Sequence, residues 1–257
     1  MDLSEDRWLS AVVGHSVFKV NFDDADAIRE EESAPWRDRI AQHLKRHAVG
    51  SYYAKIGSTR IDLVRHLVAL GFYVVDMQVT FGLDKAVEPR SIAPEARSSC
   101  RIGVFHPTQR EAVLGIAKSC FRYSRFHLDP LIPLETANQI KHDWILNYIL
   151  KQRGEHLWVA TVAERPAGFL AVIAGEEAGR RYRAIDLIGV TTEYQGRGIG
   201  QALVAFFVDF YRDQSDFLQV GTQIANLPSM RLYPKFGFSL IKSAYVMHRH
   251  VPQPGNR

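Results

Sequence analysis

The residues best spaced for chemistry lie together in Gln195-Gly196-Arg197-Gly198-Ile199-Gly200. An apolar run, Ala184 to Val190, leads into them, and an apolar-periodic stretch, Gln201 to Tyr211, leaves them. That order predicts a strand, a glycine-rich turn and a helix. Glycines at 196, 198 and 200 admit backbone conformations that a Cβ forbids. They also leave the first N–H groups of the helix bare and pointing one way. Such groups, with the helix dipole behind them, form an anion site suited to a pyrophosphate. Arg197 either adds charge there or is solvated. Two other phosphate loops do not fit. A Walker A loop closes on Gly-Lys-Ser/Thr, whereas Gly200 is followed by Gln201. A Rossmann fingerprint spaces its glycines differently and opens a βαβ unit with an acidic residue on the next strand.

A second constellation follows. Phe217 to Thr222 reads as a strand, and beyond it come Asn226, Ser229, Tyr233, Gly237 and Phe238. Gln195, Gly198 and Gly200 as Q-x-x-G-x-G, with N-x-x-S-x-x-x-Y-x-x-x-G-F downstream, resemble in order and spacing two motifs of the GCN5-related N-acetyltransferases. Thr192 stands where many members of that superfamily carry proline, a departure that touches only loop stiffness. The resemblance implies an α/β (α+β) fold, with a mixed central sheet and helices on both faces. It implies acetyl-CoA as co-substrate and no metal. The pyrophosphate is expected on Gln195 to Gly200, Ile199 included, and the pantetheine arm beside Leu187, Ile188 and Val190. The Val190 N–H is then the candidate for polarising the thioester carbonyl. Asn226 and Ser229 are expected on the cofactor arm, although Asn226 is equally placed to cap a helix before Pro228. Tyr233 falls on the family's catalytic tyrosine, where a phenol of pKa ~10 protonates a departing thiolate. The competing reading of Tyr233 is a core side chain on a stripe with Met230 and Phe236.

Further stretches narrow the resemblance. Phe121 to Pro130 (FRYSRFHLDP), Val220 to Asn226 (VGTQIAN), Ser243 to His248 (SAYVMH) and Leu70 to Asp76 (LGFYVVD) are similar to the dTDP-fucosamine acetyltransferases of surface-antigen synthesis, over nearly the whole chain. This implies a dTDP-linked 4-amino-4,6-dideoxy sugar as acceptor, a cytoplasmic enzyme and a homodimer. A sugar amine titrating at roughly pKa 8 is partly neutral at pH 7, so a carboxylate acting through water suffices as base. Asp76 is the candidate. It is the acidic residue in its strand, off the apolar face, and matches a glutamate of the related enzymes, with a shorter reach. The alternative is a solvated strand residue. Arg125 and His127 are candidates for the nucleotide-sugar diphosphate, since a guanidinium fork bonds two phosphate oxygens. Arg125 pairing with Asp129 is the competing reading. Other acceptors, a protein N-terminus, lysine or polyamine, stay open, as does a non-catalytic acyl-CoA sensor.

The elements that must position these residues are legible from periodicity. The 257 residues suggest one large or two small domains, and 46% apolar content supplies a core. The expected division is an N-terminal α/β domain at 1–83, a linker at 84–99 with Pro89 and Pro94, and the catalytic domain at 100–257. In the first part, a strand at 16–20, a helix opened by Pro35 and a strand at 52–56 are expected. A helix capped by Ser58 and ended by Gly71 follows, then an alternating strand at 72–81. In the second, Thr108 and Glu111 are expected to box a helix at 109–121, and a helix at 135–150 has Ile140, Trp144 and Tyr148 on one stripe. A hairpin turns at Glu164-Arg165-Pro166. The chain is expected to close on a further hairpin, 238–242 with 244–248, before a frayed tail. The start is polar and lacks a signal-peptide pattern. No apolar run reaches the ~18 residues of a membrane span. Cys100 and Cys120 read as small core residues, and the ten histidines show no metal-ligand spacing. A net charge of +4 without a basic block suits phosphorylated small molecules, not nucleic acid.

Overall fold

The computed structural model describes residues 1–22, 34–46, 50–87 and 100–251. Most of the expected linker, and the tail after Val251, lie outside the described residues. The chain divides into two compact units, and both draw on distant parts of the sequence. Unit 1 holds 1–78, 128–133 and 243–257; unit 2 holds 79–127 and 134–242.

The elements in chain order are β1 (Asp2–Glu5), α1 (Arg7–Val13), β2 (Val17–Asn21), α2 (Ala34–Arg46), β3 (Gly50–Gly57), α3 (Ile61–Ala69), β4 (Tyr73–Asp84) and β5 (Arg101–Val104). Then come α4 (Arg110–Ser119), α5 (Arg125–Leu128), α6 (Leu134–Ile149), β6 (His156–Val162), β7 (Arg165–Glu177) and β8 (Arg180–Val190). The chain continues through α7 (Ile199–Tyr211), β9 (Phe217–Gln223), α8 (Leu227–Leu232) and β10 (Ser239–Val251). No helix among the described residues is long and apolar enough to cross a membrane.

In unit 1 the strands run β1-β2-β3-β10, with β2 and β3 parallel and the outer pairs antiparallel. Phe18, Val20, Tyr52, Ala54, Ile56 and Met247 bury one side of this sheet with Trp36 and Ile40 of α2 and Leu63 and Leu67 of α3. α3 ends as its sequence dictates. Gly71 takes φ +82°, its N–H bonds the Val68 carbonyl, and the Phe72 N–H reaches back to Leu67, a Schellman cap. Its start differs from expectation. Arg60 occupies the N-cap without a capping bond from its side chain, which instead donates to Asp62, while Ser58 Oγ bonds Ser243 Oγ at 2.7 Å.

In unit 2 the strands run β4-β9-β8-β7-β6-β5. β8 and β9 are registered parallel, and β5 to β8 form an antiparallel meander. Alternate residues of β6 and β7 divide between two cores. Trp158, Ala160, Leu170 and Val172 pack with Leu203, Phe207 and Tyr211 of α7. Leu157, Val159, Phe169 and Ala171 pack with Val113 and Ala117 of α4 and Ile145 of α6. This is the expected mixed sheet with helices on both faces, and both layers are dry because the strands are apolar on both sides.

Two local expectations are corrected. The box before α4 is made by His106 and Gln109, not by Thr108 and Glu111: the His106 ring accepts from the Thr108 N–H, and Gln109 Oε1 accepts from the His106 N–H. The expected closing hairpin is one strand, β10, because Lys242-Ser243 supplies no residue with positive φ to turn the chain. By contrast the turn from β6 to β7 is a two-residue link, Ala163-Glu164, with φ +46° and +63°.

Candidate active site

The central feature of unit 2 is the place where β8 and β9 stop pairing. Their parallel register runs from Tyr182↔Phe217 to Ile185↔Val220, yet β8 continues to Val190 and β9 to Gln223. Strand backbone polar groups alternate between the two neighbours. The stretch Leu187 to Val190 therefore presents N–H and C=O groups on an edge that β9 does not pair. Across β7 the register slips at the same level, with Ala171 opposite Leu187 and Val172 opposite Ile185, so Asp186 is the extra residue of a β-bulge.

The bulge is tied down by its own side chain. Asp186 accepts hydrogen bonds from Trp144 Nε1 at 2.8 Å, Tyr148 Oη at 2.7 Å, and Arg153 Nε and Nη2 at 2.7 and 3.0 Å. Burial pushes the Asp186 carboxyl up, but the Arg153 hydrogen bonds and charge, helped by Trp144 and Tyr148, outweigh it and hold the group below the ordinary carboxylate range. α6 and the turn after it thus fix where β8 bends. Sequence reasoning placed Trp144 and Tyr148 on one helical stripe but took them for apolar packing and missed Asp186. An acidic residue inside an otherwise apolar run was the available signal.

The glycine loop follows. Gly196 and Gly198 adopt φ +78° and +83°, conformations costly for any side chain with a Cβ, and Gly198 is the N-cap of α7 with no side-chain cap bond. The N–H groups of the first helical turn are therefore left to a ligand or water. A Cβ at Gly196 would meet nothing within 4 Å, and one at Gly200 only Val190 Cγ2 at 4.0 Å. These positions are open toward something other than the fold. Gln195 secures the loop by donating from Nε2 to the Val190 carbonyl at 3.1 Å, and the Arg197 guanidinium lies over the Tyr194 ring. Leu187 is buried toward α4 and α6, whereas Ile188 and Val190 pack at the α7 side. The Val190 N–H faces the Cys120 sulfur, a weak acceptor, and burial pushes that thiol up to about 12.

The second motif lies in the same unit. Asn226 caps α8 by accepting from the Ser229 N–H at 3.3 Å. Tyr233 is 2% exposed and packs on Phe81 and Phe238. Burial pushes its phenol up to about 12, partly offset by a bond with the Ser229 side chain. Both readings of Tyr233 thus describe one side chain, since it is core and titratable at once. His127 has both ring nitrogens engaged, Nδ1 with Ser124 Oγ at 2.6 Å and Nε2 with Asn138 Oδ1 at 3.1 Å, and burial lowers its pKa. A neutral, tethered ring orients neighbours better than it attracts phosphate. Arg125 is half-buried, with its guanidinium 4.5 Å from the Phe126 ring.

Asp76 belongs to unit 1. It is buried, not solvated, and its Oδ2 has no hydrogen-bond partner. Burial raises its pKa to about 6 against the smaller opposing effects of the Met77 N–H and Lys55.

The Acetyltransferase (GNAT) family pattern matches residues 113–238, which span β8, the glycine loop, α7 and the Asn226–Tyr233 segment. Residues 113–238 are thus a GNAT acetyltransferase domain within the chain. Among curated proteins, the spore coat polysaccharide biosynthesis protein SpsD of Bacillus subtilis (strain 168) is 26% identical over 165 residues, 64% of this chain and 55% of that protein. The chain thus spans about half the length of that relative. Among solved structures, a GCN5-related N-acetyltransferase from Sphaerobacter thermophilus aligns over 99% of this chain and 77% of its own, at 16% identity and TM-score 0.62. Another, from Kribbella flavida, aligns over 94% and 82%, at 14% identity and TM-score 0.55. These two likenesses concern the fold. GNAT enzymes generally use acetyl-CoA.

Two predictions follow for this acetyltransferase. Asp186→Asn keeps the shape of the bulge anchor but removes its charge; thermal unfolding should show a loss of about 2 kcal/mol, and steady-state kinetics a KM for acetyl-CoA raised ~10-fold. An unchanged KM would mean that β7 alone sets the bend. For Asp76, a folded-state pKa raised from 3.8 to about 6 favours the neutral form on folding. Its stabilising effect is present below pH 4 and is lost as pH rises through 6. The stability of Asp76→Asn relative to wild type should therefore improve by up to about 3 kcal/mol between pH 4 and pH 8; a constant difference would contradict the buried, unpaired carboxylate.

Proposed function

We propose that this acetyltransferase transfers the acetyl group of acetyl-CoA to the amino group of a nucleotide-linked 4-amino-4,6-dideoxy sugar, dTDP the favoured nucleotide, for surface polysaccharide synthesis in the cytoplasm. The observation that carries the transfer is the parting of β8 and β9 beside a helix N-terminus whose glycines leave room for a ligand. In this reading the first-turn N–H groups at Ile199 and Gly200, with the loop from Gln195, hold the pyrophosphate. The unpaired edge from Leu187 through Ile188 to Val190 receives the amide-bearing pantetheine arm, as a strand would. Asn226 and Ser229 support the arm from the other side of the parting. The role of SpsD in spore coat polysaccharide biosynthesis supports a sugar acceptor, as do the stretches that resemble the dTDP-fucosamine acetyltransferases.

The chemistry is a direct displacement. The amine nitrogen bonds the acetyl carbon, the carbon–sulfur bond breaks, and coenzyme A leaves as thiolate. The Val190 N–H steadies the carbonyl oxygen as it gains charge, its present sulfur acceptor being easily given up. Tyr233 supplies the thiolate proton: with its pKa at about 12 it is protonated at every working pH. Asp76 of unit 1, with a pKa of about 6, is largely ionised at pH 7 and is the candidate for accepting an amine proton through water. Arg125 addresses the diphosphate, and His127, held by Ser124 and Asn138, orients the loop around it.

A thiol-release assay with acetyl-CoA and a panel of dTDP- and UDP-linked amino sugars, peptides and polyamines tests the acceptor. Turnover confined to the 4-amino sugars is expected; turnover with peptides or polyamines alone would overturn that acceptor. Tyr233→Phe should lower kcat ~10²-fold or more while leaving the KM for acetyl-CoA within a few-fold. Gly200→Val separates fold from ligand. The position has φ in the ordinary range, and beyond its own helix and chain neighbours an added Cβ meets nothing nearer than Val190 Cγ2 at 4.0 Å, so the variant should fold with its wild-type far-ultraviolet dichroism. It should nevertheless lose acetyl-CoA binding by calorimetry, and retained affinity would remove the pyrophosphate from this loop.

A further inference from the structure

Unit 1 contains a cluster that the acetyl transfer does not use. Asp129, His248 and His250 bring one donor atom each within 4.8 Å of one another. His248 and His250 alternate on β10, so their rings share one face of the strand. Both converge on the same carboxylate oxygen: Asp129 Oδ2 lies 2.6 Å from His248 Nδ1 and 2.9 Å from His250 Nε2. The other oxygen, Oδ1, is occupied separately, by the Tyr73 hydroxyl at 2.7 Å and the Leu131 N–H at 2.9 Å. The carboxylate is thus oriented by two donors on one oxygen and offers the second to the histidines.

The second ring nitrogen of His250 is also engaged. His250 Nδ1 lies 2.8 Å from Ser51 Oγ, and Ser51 Oγ lies 2.8 Å from His15 Nε2. A histidine that binds a metal through one nitrogen characteristically has its other N–H bonded to a fixed acceptor. Read in one direction, His250 Nδ1–H donates to Ser51, whose hydroxyl donates to His15, and His250 Nε2 is left with its lone pair toward Asp129 Oδ2. The side chains of Asp129 and His248 are 0% and 4% exposed and that of His250 is 19%, so the cluster is closed to bulk water except at His250.

We propose that Asp129, His248 and His250 form a binding site for one divalent transition-metal ion of the zinc class. Two imidazoles and a carboxylate are a donor set that such ions accept, with positions left for water. Donor atoms around an ion at ~2.0–2.1 Å stand roughly 3 Å apart, close to the 2.6 and 2.9 Å that separate Asp129 Oδ2 from the two ring nitrogens. No proton need be released if both imidazoles are neutral; each turns its lone pair to the ion and carries its proton on the far nitrogen. The ion would pin the segment 128–133 to β10, joining chain positions more than a hundred residues apart within unit 1.

The test uses the full chain with any purification tag removed. After treatment with EDTA and dialysis, the protein is titrated with Co²⁺, followed by visible absorption, and with Zn²⁺, followed by calorimetry and by elemental analysis after gel filtration. One equivalent of either ion is expected, together with a melting temperature raised by several degrees. His250→Gln, at the half-open edge, should weaken binding at least ~100-fold, and Ser51→Ala ~10-fold. His142→Gln, on α6 of unit 2, should change nothing. The absence of stoichiometric uptake, or uptake that His250→Gln leaves unaltered, overturns the site and leaves the cluster as a hydrogen-bonded hub whose cation is a proton on histidine.

Discussion

The proposed cofactor site of unit 2 depends on β8 ceasing to pair with β9 after Ile185↔Val220. Parallel strands at ordinary spacing satisfy each other's backbone groups and leave no room between them. To keep two adjacent strands apart while both remain apolar and buried, the sheet needs a fixed bend. The bend is supplied at Asp186 by a residue with no partner of its own across the ladder, and it is held by four donor bonds from α6 and the turn beyond it. A carboxylate suits this work because it accepts several charge-assisted bonds at once, and a buried one is strongly penalised if any of them lets go. The geometry is therefore stiff where a flexible loop would average it away.

The glycine loop needs that stiffness. Helix N-termini attract anions weakly when the chain leading into them is mobile, because ordering the chain offsets the gain. Here the entry to α7 is clamped at two points, with the Gln195 amide on the Val190 carbonyl and Gly198 in a conformation only glycine adopts cheaply. The apolar side chains of α7, from Ile199 through Leu203 to Tyr211, bury the helix against β6 and β7. The N–H groups at its start are thus aimed by the hydrophobic core and not by the loop itself. Gly200 shows the same division of labour, being tolerated by the protein on every side but the one facing outward.

What was legible in the sequence follows from distance along the chain. The glycine loop and the Asn226-to-Phe238 pattern are local, so their spacing could be read directly, as could the apolar run of β8 and the hairpin of β6 and β7. The anchor at Asp186 could not, because its partners Trp144, Tyr148 and Arg153 are 33 to 42 residues away along the chain. The cluster around Asp129 was hidden for the same reason: Tyr73 lies 56 residues before it and His250 lies 121 after it. Histidines at i and i+2 reveal nothing until a third ligand arrives from elsewhere in the fold. The closing strand was misread because Ser243 resembles a turn residue, whereas its hydroxyl is used to bond Ser58 inside a continuous β10.

Burial acts on Tyr233 and Asp76 in the same direction and gives them opposite uses. Desolvation disfavours the charged form of any acid, so both values rise. For the phenol, a rise to about 12 moves it further from neutrality, and the group is a proton donor throughout the physiological range. For the carboxyl, a rise to about 6 moves it toward neutrality, and it stays mostly ionised at pH 7 while gaining basicity. The rise to about 6 increases its basicity without emptying the ionised form at pH 7. Tyr233 and Asp76 are thus kept on opposite sides of pH 7 by one physical cause, the loss of water around each group.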